Sequence, residues 1–144
     1  MSKALNIADA MAARLNALLT LPAGMTLVDR QKDIRAEVAA KVAKAGGAAA
    51  VILYEGFSNS SPASSSQLRI TRRYTVTIYS KPVLRDATEI SADDIVETIA
   101  RSLHDWEPEE SADGIGEISV TGCDLRPDAK FLIYDLDIEI LSRL

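Results

Sequence analysis

The most reactive side chains are sparse: the chain has one histidine, His104, and one cysteine, Cys123. A general base needs a nucleophile and an orienting partner nearby, and a lone cysteine forms neither an internal disulfide nor a Cys/His zinc cluster. His104 falls near the end of a helical pattern, where a cation is favoured, and Cys123 has the character of a small, partly buried thiol. We therefore predict no catalytic residue, no cofactor and no metal, and expect that the protein is not an enzyme.

The more informative charges alternate along a strand-like segment near the end of the chain. Asp135, Asp137 and Glu139 share one face of that segment, opposite its apolar residues. A calcium-type glycine loop is absent. This acidic row is either a solvated outer face or a surface that pairs with Arg69 and Arg73, across the sheet or on another subunit.

Arginine is concentrated in a second segment, where Arg69, Arg72 and Arg73 occur within five positions. On a chain of net charge −5 this is a weak indication of nucleic-acid binding. Edge protection or subunit pairing accounts for it at least as well. We therefore predict no specific nucleic-acid partner. The candidate interface consists of six residues: Arg69, Arg72, Arg73, Asp135, Asp137 and Glu139.

Composition indicates one globular domain spanning residues 1–144. The 144 residues are 47% hydrophobic and 26% charged, and this length suffices for one core but not for two. No apolar run approaches the roughly 18 residues of a membrane span. The first 19 residues carry Asp9 and Arg14 within their apolar pattern, which favours an amphipathic helix over a signal peptide. We expect no membrane partner and a protein that works inside the cell that makes it.

The apolar period assigns the elements. A period of 3.6 predicts helices over 4–19, 30–45 (with Asp29 as N-cap) and 92–105, whereas a period of two predicts strands. The predicted strands are 48–55, 69–79, 116–123 and 130–141. The expected fold is α+β: a mainly antiparallel four-stranded sheet from two hairpins, one helix packed on the sheet, and two N-terminal helices. The serine-rich segment 57–67 is predicted to be a loop, poorly ordered in a free monomer.

This order of elements resembles the tail terminator family of long-tailed phages, also called minor tail protein U or tail completion proteins. The resemblance covers most of the chain and has five components. They are the N-terminal helix 4–19, AAVILYEG at 49–56, RRYTVTIYSKP at 72–82, DDIVETIARSLHDW at 93–106 and FLIYDLDIEI at 131–140.

The resemblance implies a structural phage or prophage protein that assembles as a homo-oligomeric ring, commonly a hexamer. Such a ring caps the tail tube and joins it to the head connector, so its partners are the tail tube protein and head connector proteins. It is found in the host cytoplasm during assembly and in the virion tail afterwards. The alternative function is a small-molecule-binding or regulatory α+β domain without strong catalytic activity, which requires an apolar pocket with converging polar groups.

Overall fold

The computed structural model describes residues 3–22, 24–30, 34–43, 47–61, 68–80, 92–108, 116–126, 128 and 131–143. Three helices and five strands lie in this part of the chain. In order they are α1 (Lys3–Asn16), β1 (Thr26–Val28), α2 (Arg35–Ala43), β2 (Ala48–Asn59), β3 (Arg69–Ser80), α3 (Ala92–Leu103), β4 (Ile118–Arg126) and β5 (Leu132–Arg143). The predicted α+β class is confirmed.

The strands form a single mixed sheet in the order β1-β2-β3-β5-β4. Both predicted hairpins are present, and they join where β3 pairs antiparallel with β5. The prediction of four strands was wrong, because β1 adds a fifth strand that runs parallel to β2. Three residues are too few to establish a period of two, so β1 has no signature of its own in the sequence.

Helices cover both faces of the sheet, and not one face as predicted. The row Ile7, Met11 and Leu15 of α1 packs into the main core together with α3, which contributes Ile95 and Ile99. The smaller helix α2 lies on the opposite face, where it forms a second cluster. That cluster is built from four buried side chains: Val38, Val42, Ala49 and Val51. The single predicted helix layer is therefore replaced by α1 and α3 on one side and α2 on the other.

Several predicted boundaries moved. The N–H of Asp29 donates to the carbonyl of Ile52 as the chain leaves β1, so Asp29 does not cap α2. The strand β2 continues to Asn59, where the sequence indicated a loop from residue 57, because it stays paired with β3 along its length. Residues 62–67 of the serine-rich segment lie outside the described residues.

Candidate functional site

Two faces of the sheet are distinguished below. The helix face lies under α1 and α3 and carries Tyr74, Val76 and Ile78 from β3. The opposite face lies under α2 at one end only; we call the remainder the open face. Its side chains from β3 and β5 follow from the alternation of the two strands. They are Arg69, Thr71, Arg73, Thr75 and Thr77 from β3, and Asp135, Asp137, Glu139 and Leu141 from β5.

The register of β3 and β5 brings part of the predicted interface together. Arg73 is directly opposite Glu139, and this opposition of charges on one face is the cross-strand arrangement that the sequence suggested. Asp137 is opposite Thr75 and Asp135 opposite Thr77. In the described part of the chain no ion pair joins the side chains of Arg73 and Glu139, so the register gives proximity rather than a fixed contact.

Asp135 is held within its own chain. Arg126 of β4 donates to it through Nε at 2.6 Å and through Nη2 at 3.3 Å, and the Thr77 hydroxyl donates at 2.9 Å. The hydrogen bond that Arg126 donates to Asp135 also raises the pKa of Arg126 above its ordinary value. Asp135 is therefore the member of the acidic row with the most intrachain bonding, and the sequence did not identify its partner.

The surroundings of Asp137 are negatively charged, in contrast to those of Asp135. Partial burial raises the pKa of its carboxyl above the ordinary value, and nearby negative charge raises it further. The contributing carboxylates are Asp124, Glu55, Asp135 and Glu139. The open face thus concentrates negative charge around Asp137, and this charge opposes ionisation of its carboxyl.

Arg72 does not lie on this surface. It is directly opposite Ile140 of β5 on the helix face, and only 6% of the residue is exposed. Its Nη1 donates to the Tyr54 hydroxyl at 3.2 Å, and its guanidinium carbon lies 5.9 Å from the centre of the Tyr54 ring. Five of the six predicted interface residues therefore share the open face, and Arg72 is separated from them by the sheet.

His104 protects a strand edge. Its Nδ1 accepts a hydrogen bond from the backbone N–H of Val120 at 3.1 Å, on the outer side of β4. Its Nε2 lies 3.5 Å from Asp105 Oδ1, and Asp105 has a positive φ of 63° where the chain leaves α3. The hydrogen bond between His104 Nδ1 and the Val120 N–H positions the start of β4.

The prediction that Cys123 is a buried or half-buried thiol was wrong, because the residue is exposed on β4. Burial of part of the thiol raises its pKa, and three carboxylates act in the same direction: Asp124 beside it on β4, and Asp135 and Asp137 on β5. A higher pKa lowers the fraction of thiolate, which is the reactive form. Within the described ranges no group of three or more His, Cys, Asp or Glu residues is arranged to hold a metal ion. None of the described helices is long and apolar enough to cross a membrane.

At both outer edges of the sheet, part of the backbone has no strand partner among the described residues. On one side, β1 pairs with β2 only as far as Ile52, and β2 continues to Asn59 with β3 as its one neighbour among the described strands. On the other side, backbone bonds from Asp105 and Trp106 to Ile118, together with His104, cover the first residues of β4. From Thr121 to Arg126, β4 pairs only with β5 in the described structure.

Exposed apolar side chains accompany these edges. Phe57 on β2 is 47% exposed and Leu125 on β4 is 56% exposed. Leu53, Leu68 and Leu141 are also exposed, and they lie on or beside β2, β3 and β5. The sequence analysis did not identify this set, because an apolar residue in a strand pattern is ordinarily assigned to the core.

A pocket of about 490 Å³ opens where α1 begins, beside the point at which β1 ends. Its walls combine apolar and charged side chains. They are Lys3, Ala4, Leu5, Asp29, Arg30, Leu53, Tyr54 and Arg72. No sequence motif marks this pocket, because its lining comes from α1, the end of β1, β2 and β3.

No family model matches the chain, and no curated protein matches its sequence significantly.

Proposed function

We propose that the chain is a structural assembly protein of the tail-terminator type, which forms a ring that caps a phage or prophage tail tube and joins it to the head connector. The observation that carries the proposal is a pair of sheet edges that have no strand partner in the described part of the chain, β2 beyond Ile52 and β4 beyond Val120. Unpaired strand edges recruit further strands. Two different edges on one subunit allow head-to-tail contacts, which close into a ring when the rotation between neighbours permits.

The exposed apolar residues supply the energy for such a contact. Phe57 and Leu125 belong to the two strands whose edges are open, and burial of apolar surface contributes about 25 cal/mol per Å². Charged pairs at modest energy, roughly 0.2–1 kcal/mol each, would then select the neighbour. The candidates for these charged pairs are Arg69 and Arg73 on one subunit, with Asp137 and Glu139 on its neighbour. Asp135 is already engaged by Arg126.

The sign of the charge fits a passage for DNA. The net charge is −5, and the acidic row faces away from α1 and α3. A lumen lined by carboxylates repels the DNA backbone instead of binding it. In this proposal the ring forms in the host cytoplasm during assembly, with the acidic face toward the channel. It then remains in the virion tail and has no catalytic activity.

The test is the mass of the purified protein in solution, by light scattering at increasing concentration. We expect a ring-sized species for the wild-type chain and loss of that species in Phe57→Lys and in Leu125→Lys, because lysine on an edge strand opposes strand addition. Leu19→Lys is the matched control: Leu19 is a fully exposed leucine outside the sheet, and its replacement should leave the mass unchanged.

Thermal unfolding of the same variants separates assembly from folding. The proposal expects the isolated subunits of Phe57→Lys and Leu125→Lys to stay folded, since both side chains are already exposed. A wild-type protein that stays monomeric at high concentration, or a ring that both lysine variants still form, would overturn the proposal.

The alternative, a small-molecule-binding domain, is favoured by one observation, the pocket at the start of α1. The charges that line this pocket bear on both functions.

A further inference from the structure

The unusual group in this pocket is the buried guanidinium of Arg72. The residue is 6% exposed, and its Nε is fully buried without a hydrogen-bond partner. Its hydrogen bond is to a neutral hydroxyl, that of Tyr54. Within the described residues no carboxylate lies at ion-pair distance from it.

A buried charge without a counter-charge is costly. The effective penalty for an ion taken out of water is several kcal/mol even after relaxation of the surroundings, and a buried donor without an acceptor adds to it. The ring of Tyr54 offsets part of this through a cation–π contact. A carboxylate would offset far more, since charge-assisted bonds to arginine are about twice as strong as neutral ones.

The pocket lining as a whole, with Arg72 counted, carries a positive charge. It contains Lys3, Arg30 and Arg72 against a single carboxylate, Asp29. Arg30 forms an ion pair with Asp9, and setting that pair aside leaves a surplus of one positive charge. The 14-residue helix α1 begins here with no acidic residue in its first turn, so its N-terminal dipole adds to the positive potential.

We propose that the pocket at the start of α1 binds a carboxylate group, for which Arg72 is the buried counter-charge. The surplus of one charge matches a monoanion. The planar guanidinium matches the planar carboxylate, and Nη1 is already held by Tyr54. Because Nε is shielded from solvent, the carboxylate is admitted by a small side-chain movement of the kind common on binding. The apolar walls, which include Leu5 and Leu53, accept a short hydrocarbon attached to it.

The carboxylate has two possible sources: a small organic acid, or an acidic side chain of a second copy of this chain. The open face carries exposed carboxylates, but within one subunit the sheet separates them from Arg72. The proposal concerns the shared chemistry and does not depend on ring formation.

The primary experiment titrates the full chain with butyrate at constant ionic strength and follows the ¹⁵N–¹H signal of Arg72 Nε. Butyramide, which has the same shape without the charge, is the ligand control. Arg72→Met removes the guanidinium and retains an apolar side chain. Arg73→Met is the matched protein control, because it removes an exposed arginine one position away on the other face.

The proposal expects a saturable shift of the Arg72 signal with butyrate and none with butyramide. Thermal-shift titration should show affinity reduced about tenfold or more in Arg72→Met, the factor that corresponds to one charge-assisted bond, and unchanged in Arg73→Met. Equal stabilisation of wild type and Arg72→Met by butyrate, or an equal effect of butyramide, would overturn it. So would the absence of any butyrate effect on the wild-type chain.

Two further arms keep the result unambiguous. If Arg72→Met fails to fold, Arg72→Lys retains the charge without the planar donor array and should bind butyrate more weakly than wild type; equal binding would contradict the proposal. Light scattering in the same titration separates the two sources. Butyrate that dissociates an oligomer identifies a carboxylate of the second copy, and binding without a change of mass identifies a small acid.

Discussion

The two faces of the sheet are made from the same strands and yet have opposite character. On the helix face, Tyr74, Ile138 and their neighbours are at most 1% exposed. One position along each strand, the open face carries Arg73 and a row of carboxylates in which Asp137 is exposed. The side-chain alternation of a strand alone produces this contrast.

The two faces therefore contribute differently to the stability of the fold. Burial on the helix face provides the free energy of folding, whereas the open face contributes little and in places opposes it. The exception is Arg72, a charge on the apolar side. Such a departure from an otherwise consistent pattern is expected at a site with a function.

The largest contrast is expected from neighbouring positions on β5. Ile138→Ala should lower the free energy of unfolding by about 2–5 kcal/mol, since it leaves a cavity in the main core. Glu139→Ala, on the open face, should change it by less than about 1 kcal/mol. Urea unfolding of both variants measures the difference. Similar losses for the two would mean that the open face is covered in the native protein.

A smaller effect is expected from the polar link between β3 and α1. The Tyr74 hydroxyl donates to the Ala4 carbonyl at 2.8 Å in a buried position, and burial raises the pKa of Tyr74, which keeps it protonated. Tyr74→Phe should lose about 1 kcal/mol of stability.

Tyr79→Phe is the control for this bond, because Tyr79 is half-buried and packs edge-on against Phe131 at 5.7 Å. Its replacement should cost less, since water reaches that side of the sheet. A loss as large as that of Tyr74→Phe would show that the two faces are equally dry.

The smallest effect concerns pH. The carboxyl of Asp137 has a pKa above the ordinary 3.8, so the folded chain binds more protons there than the unfolded chain does. Stability therefore falls as pH rises from the unfolded pKa through the folded one. Asp137→Asn removes this loss. It should be slightly more stable than wild type at neutral pH, and the advantage should shrink as pH falls toward 3.8.

Asp135→Asn is the matched control, two positions away on the same face. It weakens the bonds to Arg126 and Thr77 and should lower stability at neutral pH, by up to about 1 kcal/mol. Melting temperatures measured between pH 3 and 8 test the opposite signs. A stabilising Asp135→Asn would mean that repulsion, and not the Arg126 pair, dominates the acidic row.

The sequence predicted the elements that are long enough to show a clear period. It missed the features that depend on partners distant in the chain. The strand β3 and the helix α3 were found within a few residues, because eleven or more residues carry a clear period. The strand β1 was missed because it is a strand only by virtue of its pairing with β2. The role of His104 was also missed, since the backbone N–H of Val120 that it binds is unrelated to it in sequence.

By itself the sequence determined the α+β class, the two hairpins and the shared face of Asp135, Asp137 and Glu139, because periodicity is a local property of the chain. Alternation along the strand also put Arg72 in the apolar row and Arg73 on the other face, and only the tertiary structure decided their partners: Glu139 opposite Arg73, and Tyr54 beside Arg72 under the helix layer. The physical reason is that the charge and chemical type of a side chain are properties of the residue itself. Burial, bonding partners and the pocket at α1 arise only when elements distant in sequence meet on folding.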